Sequence, residues 1–100
     1  MKIFRNGSVL EVSSKELYKA LEINEEYNDW LSNTVMNNLT EGTDYRKRER
    51  TINEYRLTLQ AAKKVAMLAM TDIGSKIALY ISEQIQSIRE KDEILSLQLE

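Results

Sequence analysis

The chain has 100 residues, 42% of them hydrophobic and 30% charged, with a formal net charge of −2. This length fits one domain that buries roughly two-thirds of its unfolded surface, and the composition is typical of a soluble globular protein. No run approaches the roughly 18 apolar residues of a membrane span, and residues 1–5 become charged too early for a secretory signal. The absence of cysteine excludes a disulfide framework and permits a cytosolic location.

Few residues are available for catalysis. Without histidine and cysteine, neither a Ser-His-Asp nor a Cys-His arrangement can form, and zinc would have only carboxylate ligands. Three scattered glycines do not form a phosphate-binding loop or a dinucleotide fingerprint. Glu22 and Glu26 lie four positions apart, but they straddle a predicted turn, which favours solvated surface charge. We therefore expect no enzyme, no metal and no cofactor.

Charge is distributed unevenly along the chain. Residues 1–43 carry a net charge of −3 and residues 81–100 also −3, whereas residues 44–56 and 57–80 each carry +2. A basic middle between acidic ends is evidence about binding partners rather than about the fold.

The first predicted element is a β-hairpin within residues 1–12. Asn6-Gly7 lies between the apolar pairs Ile3-Phe4 and Val9-Leu10, and this pattern is a strong hairpin signal. Two short helices follow between Ser13 and Leu31. Ser13 and Glu16 have the spacing of a capping box for the first helix, whose apolar face is Leu17, Ala20 and Leu21.

The second short helix is predicted to begin with Asn24 as its cap and to end near Asn37-Asn38. Its apolar stripe consists of Tyr27, Trp30, Leu31, Thr34 and Val35. On that stripe, core packing of Trp30 is favoured over a partner contact, and Asp29 is a candidate ion-pair partner for the basic residues beyond. Two short helices on a tight connection resemble a helix-turn-helix, which serves nucleic-acid or protein recognition.

A second hairpin is predicted from Asp44 to Leu59. Tyr55, Leu57 and Leu59 alternate with Arg56 and Thr58, as in a strand with one buried face, and Tyr45 and Tyr55 should face each other or the core. The cations are Arg46, Lys47, Arg48, Arg50 and Arg56. They either protect an exposed edge strand from pairing with other chains or form a wing that lies along a phosphate backbone.

A third helix is predicted over Gln60–Met70, with Ala62, Val65, Ala66 and Ala69 on its buried stripe. Thr71 and Asp72 are caps for a fourth helix that continues to Gln98, about 40 Å in length. Its far half has apolar positions that the monomer cannot cover, which favours self-association over a helix that folds back or frays. The residues predicted at a partner or dimer interface are Tyr80, Ile81, Ile85, Ile88 and Leu95.

Three segments together resemble a known family. They are VSSKELYKALEINEEYNDWL, the turn EGTDY, and EYRLTLQAAKKVAMLAMTDIGSKIALYI. In this order, from about Val12 to Tyr80, they resemble the AntA/AntB type of phage antirepressor domain. The resemblance departs from the family pattern at Leu79, where a basic residue is usual, and at Gln60, where an aspartate helix cap is usual.

The resemblance implies a protein of a phage or prophage that lifts lysogenic repression by binding a repressor protein in the cytoplasm of a bacterial host. We expect an α+β, mainly helical fold with a helix-turn-helix-like core, small hairpins in a winged-helix-like arrangement, and a long C-terminal helix. Residues 1–80 would form the antirepressor domain, and residues 81–100 would extend the last helix toward a dimer partner or a further domain. The alternatives are a winged helix-turn-helix that binds DNA through the basic hairpin and a purely structural or dimerising role. Glu25, Glu26 and Asp29 disfavour phosphate contacts by the second helix.

Overall fold

The structure is a computed structural model that describes the backbone of residues 1–99 and the side chains of residues 1–88. Its strands are β1 (Phe4–Asn6), β2 (Val9–Ser13), β3 (Tyr45–Lys47) and β4 (Tyr55–Thr58). Its helices are α1 (Ser14–Ala20), α2 (Tyr27–Trp30) with a π-helical continuation (Leu31–Met36), α3 (Leu59–Leu68) and α4 (Asp72–Leu99). The predicted α+β class with a long last helix is confirmed, whereas the winged-helix arrangement remains a prediction.

The four strands form one antiparallel sheet in the order β1-β2-β4-β3. Both predicted hairpins are present, and β3 is an edge strand as expected. In the first hairpin Asn6 lies opposite Val9, so the turn residues are Gly7 and Ser8. Gly7 has a φ of +62°, which matches the first position of a hairpin turn. Pairing of β2 with β4, which joins the hairpins, could not be predicted because it links segments distant in sequence.

The inner face of the sheet packs on the helices. Val12 and Leu57 lie opposite each other on β2 and β4 and are at most 1% exposed. The tyrosines of the second hairpin also meet as predicted, since the rings of Tyr45 and Tyr55 pack edge to face with centroids 5.7 Å apart. The helices add further buried side chains to this core, among them Leu17, Val35, Val65 and Ile81.

The start predicted for α1 is correct, since Ser13 occupies its N-cap position, but the predicted capping hydrogen bond is absent. The start predicted for α2 is wrong. Ser13 precedes α1 but makes no capping hydrogen bond, because its hydroxyl donates to the Glu54 carboxylate instead (3.3 Å). α2 begins after Glu26 rather than after Asn24. The Tyr18 hydroxyl donates to the backbone carbonyl of Glu25 (2.7 Å), which removes that carbonyl from a helix beginning at Asn24.

The apolar stripe of the second helix is confirmed. Trp30, Leu31 and Val35 are buried, and helical backbone continues to Asn38. Trp30 packs with Tyr18 and Tyr27, at ring-centroid distances of 5.5 and 6.2 Å. Core packing of Trp30 is therefore correct. Asp29 is exposed, and neither ion pair among the described residues includes it.

Helices α3 and α4 pack closely. Thr58 caps α3 by accepting a hydrogen bond from the Ala61 amide (3.1 Å), so Gln60 is an exposed residue of the first turn rather than the cap. Thr71 caps α4 by accepting from the Gly74 amide (3.0 Å), as predicted. Gly74 lies against the backbone carbonyl of Ala66, where a Cβ atom would collide. Glycine is therefore required by the close approach of the two helices.

Candidate partner-binding surfaces

Four of the five predicted cations line one cleft at the outer face of the sheet. Arg46 on β3 lies directly opposite Arg56 on β4, and Phe4 on β1 lies opposite Glu11 on β2. Side chains alternate between the faces of a sheet, so these four residues share the face that points away from the helices. They line a cleft of about 590 Å³, which we call the cationic cleft, together with Arg5, Lys47, Arg48 and Glu49.

Two of the cleft arginines are neutralised by carboxylates of the same chain. Arg46 donates two hydrogen bonds to Glu11, at 3.0 and 2.9 Å, and this pairing raises the pKa of Arg46. Glu11 is only 4% exposed. Arg48 pairs with Glu54 at 3.3 Å. Such pairs hold the arginines in place and reduce the positive charge available to a ligand.

Arg56 is different, because it is 6% exposed and belongs to neither ion pair of the described residues. Its guanidinium carbon lies 3.4 Å from the centroid of the Phe4 ring, and its Nε atom has no hydrogen-bond partner there. Burial, followed by the nearby positive charge of Arg48, lowers the pKa of Arg56. The alternation in β4 placed Arg56 correctly on the outer face. Its burial was missed because the strand pairing that brings Phe4 over it was unknown.

Lys47 and Arg50 are exposed, and Arg50 does not line the cationic cleft. Arg50 lies in the connection between β3 and β4 with a φ of +63°. The structure thus brings four of the five predicted cations together and leaves Arg50 outside. Phe4 and Arg5 are cleft residues that the sequence analysis did not assign, although the predicted first hairpin already placed them in a strand.

A partly buried series of hydrogen bonds joins the second hairpin to the short helices. The Tyr55 amide donates to the Ser14 hydroxyl (3.0 Å), and this hydroxyl lies 2.7 Å from the Tyr27 hydroxyl. Tyr27 in turn donates to the carbonyl of Asn53 (2.6 Å). Burial raises the pKa of Tyr27, whereas its hydrogen bond with Ser14 acts in the opposite direction. The spacing of these residues in the sequence did not predict these hydrogen bonds.

A second surface is an apolar groove between the first hairpin and α4, which we call the helix groove. It is lined by Ser8, Val9, Leu10, Leu59, Gln60, Ile85 and Ile88. Of the predicted interface residues, Ile85 and Ile88 are half-buried there and Tyr80 is 40% exposed. Ile81 is 1% exposed and belongs to the core of the same chain, because it faces α3 rather than solvent. Leu95 lies outside the residues whose side chains are described.

A third surface was not predicted and lies at the end of α3. Met67, Leu68 and Met70 are 60%, 43% and 91% exposed. Together with Gln60, Lys63 and Lys64 they line a shallow, mainly apolar depression, which we call the methionine patch. Its sequence signal was the presence of large apolar residues off the buried stripe of α3. Flexible methionines adapt to the shapes of protein partners.

No group of three or more acidic, histidine or cysteine side chains among the described residues is arranged to hold a metal ion. Within the same part of the chain, no helix combines the length and the apolar character that crossing a membrane requires.

Comparison with known proteins identifies the family. Neither the curated proteins nor the solved structures compared with this chain include a match. The model of the AntA/AntB antirepressor family matches residues 12–71, which is more than half of the chain. The match begins at the residue where the resemblance in sequence begins, and it ends at residue 71 rather than at residue 80. The chain belongs to the AntA/AntB antirepressor family.

Proposed function

We propose that this protein is an antirepressor that binds a lysogeny repressor of a phage or prophage and relieves repression in the bacterial cytoplasm. The observation that carries the proposal is the family match over residues 12–71. The proposed domain comprises residues 1–80, and residues 81–100 serve in dimerisation or as a linker to a further domain.

Exposed apolar side chains support a protein partner. Met67 and Met70 are largely solvent-exposed on the methionine patch. Val9, which is 42% exposed, lines the helix groove. Exposed apolar clusters of this kind are typical of protein-binding surfaces. We assign the repressor to the methionine patch and a second copy of the chain to the helix groove and the continuing α4.

A mobility-shift titration tests the repressor assignment. The protein is added to a complex of operator DNA with a lysogeny repressor of the same phage or prophage, and release of free operator is measured. We expect release near stoichiometric amounts, and at least about a tenfold higher requirement for a Met67→Ser, Met70→Ser double variant, because about 2 kcal/mol of apolar contact would be lost. Glu83→Gln, on exposed α4 surface, is the matched control. An operator complex that persists at large excess of wild-type protein contradicts the proposal.

Direct DNA binding is the second candidate, supported by the collection of four predicted cations in one cleft. Lys47 and Arg50 are the sharpest test residues, because both are exposed and neither takes part in an ion pair of the described residues. Binding to duplex DNA should weaken with salt at a log–log slope of about −0.9 per phosphate contacted. Replacing both residues by alanine should make that slope shallower by the equivalent of about two phosphate contacts. A flat salt response contradicts this candidate.

A further inference from the structure

We infer that the cationic cleft binds one carboxylate of an acidic protein segment, with the Arg56 guanidinium as its receptor. The inference rests on the antirepressor function proposed above and names the chemistry of the segment that the partner presents. The outer face of the sheet carries more arginines than carboxylates.

Three arginines of this face meet two carboxylates. Glu11 is held by Arg46, and Glu54 is held by Arg48 and by the hydroxyl of Ser13. Both carboxylates are therefore occupied by other donors. Arg56 remains as the surplus cation, and like-charged Arg46 lies directly opposite it on the neighbouring strand. Like charges in this position destabilise a sheet, and a desolvated charge that forms no ion pair is costly. The charges of Glu54 and Glu11 offset part of this cost for Arg56.

The geometry of Arg56 suits a planar anion. Its side chain is held flat against the Phe4 ring, which limits the rotation of the guanidinium before a ligand arrives. Nε is the one side-chain nitrogen or oxygen among the described residues that is both buried and unpaired, and Arg56 itself lines the cleft. The other donors of this guanidinium are its two Nη groups. Two parallel N–H donors match the two oxygens of a carboxylate.

Depth and charge favour a carboxylate side chain over a nucleic acid. Arg56 is 6% exposed and lies at the floor of the cleft, where an aspartate or glutamate on a flexible stem can reach it. A duplex presents its phosphates on a stiff, convex backbone with more charges on either side. Glu49, which forms neither ion pair of the described residues, lines the same cleft and repels a run of phosphates more strongly than a single carboxylate. The two Nη donors of Arg56 are matched by the two oxygens of one carboxylate.

Side-chain NMR of the full chain, labelled with ¹⁵N-arginine, tests this inference. The Nε–Hε signal of Arg56, assigned in the wild type by through-bond correlation with its backbone amide, is followed during titration with a hexaglutamate peptide and, separately, with a duplex DNA. We expect a saturable shift with the peptide, and affinity weakened about tenfold or more in Arg56→Lys, which retains the charge but loses the paired donors. Arg50→Lys, outside the cleft, should bind the peptide like the wild type.

Three results would overturn the inference: an Arg56 signal that the peptide leaves unmoved, one that only DNA moves, or equal weakening in Arg50→Lys and Arg56→Lys. The wild-type titration decides even if Arg56→Lys does not fold. If Arg56→Lys releases operator DNA as efficiently as the wild type, Arg56 does not contribute to repressor binding. The proposed antirepressor function would not be affected by that result. A wild-type protein that releases no operator refutes the proposed function, and the titration then still decides whether the cleft binds carboxylates.

Discussion

Replacing Gly74 by alanine should destabilise the protein, although the same change stabilises most helices. Gly74 lies in the first turn of α4, packed against α3. A Cβ atom there would collide with the Ala66 carbonyl and lie 3.1 Å from the Thr71 hydroxyl oxygen and 3.2 Å from the Ala69 Cβ. Since the first of these is backbone, no side-chain rotation relieves it, and the two helices must move apart.

The magnitude follows from two opposing terms. In an exposed helix, alanine is favoured over glycine by about 1 kcal/mol. Overpacking a close interface costs about 1–3 kcal/mol, and a collision with backbone belongs at the upper end of that range. The net effect is a loss of about 1–2 kcal/mol in the free energy of unfolding. For a domain of this size, that lowers the melting temperature by roughly 5–15 °C.

Thermal and urea unfolding monitored by circular dichroism would measure this loss. Ser75→Ala is the matched control, because Ser75 is the next residue of the same helix and is exposed. This variant should be as stable as the wild type or slightly more stable. If Gly74→Ala also melts at or above the wild-type temperature, α3 and α4 do not approach as closely as described, and the reasoning is refuted.

Three further variants test the site. Ser14→Ala should cost about 1–3 kcal/mol in urea unfolding, because it leaves the buried Tyr55 amide without its acceptor. Glu11→Gln should cost about the same, because it removes the negative charge and one of the two oxygens that accept hydrogen bonds from Arg46. Burial raises the pKa of Tyr45 above its ordinary 10.0. Its contribution to stability is therefore complete below pH 10 and is lost as pH rises through the raised value. Tyr45→Phe should flatten the fall in the urea midpoint above pH 10.

Each of these variants has a control on exposed surface. Ser32→Ala serves for the first, and equal stability of the two alanine variants would argue against the series of hydrogen bonds. Glu49→Gln serves for the second, since Glu49 lies in the same cleft but forms neither ion pair of the described residues. Tyr80→Phe serves for the third. Identical alkaline profiles for Tyr45→Phe and the wild type would show that Tyr45 does not titrate differently in the folded state.

Helix caps illustrate how far local sequence could be used. Thr71 caps α4 as predicted, because a threonine immediately before a long apolar stripe has few competing partners. Ser13 and Asn24 had equally good local signals, but the Ser13 side chain makes no capping hydrogen bond at the N-cap position of α1, and Asn24 begins no helix. In the first case a distant carboxylate, Glu54, takes the serine hydroxyl, and in the second Tyr18 takes the carbonyl of Glu25 that a helix begun at Asn24 would use. Local propensity thus yields wherever a tertiary partner offers a better hydrogen bond.

The sequence by itself determined the secondary structure, most of the core and the family, because periodicity, turn residues and motif order are local properties of a chain. It also identified the cations as one group. Only the tertiary structure decided which of them remain unpaired. Pairing of β2 with β4 brings Glu11 to Arg46 and Phe4 to Arg56, across long separations in sequence. The energy of a charge depends on its burial and its nearest counter-charge, and both are set by these long-range contacts.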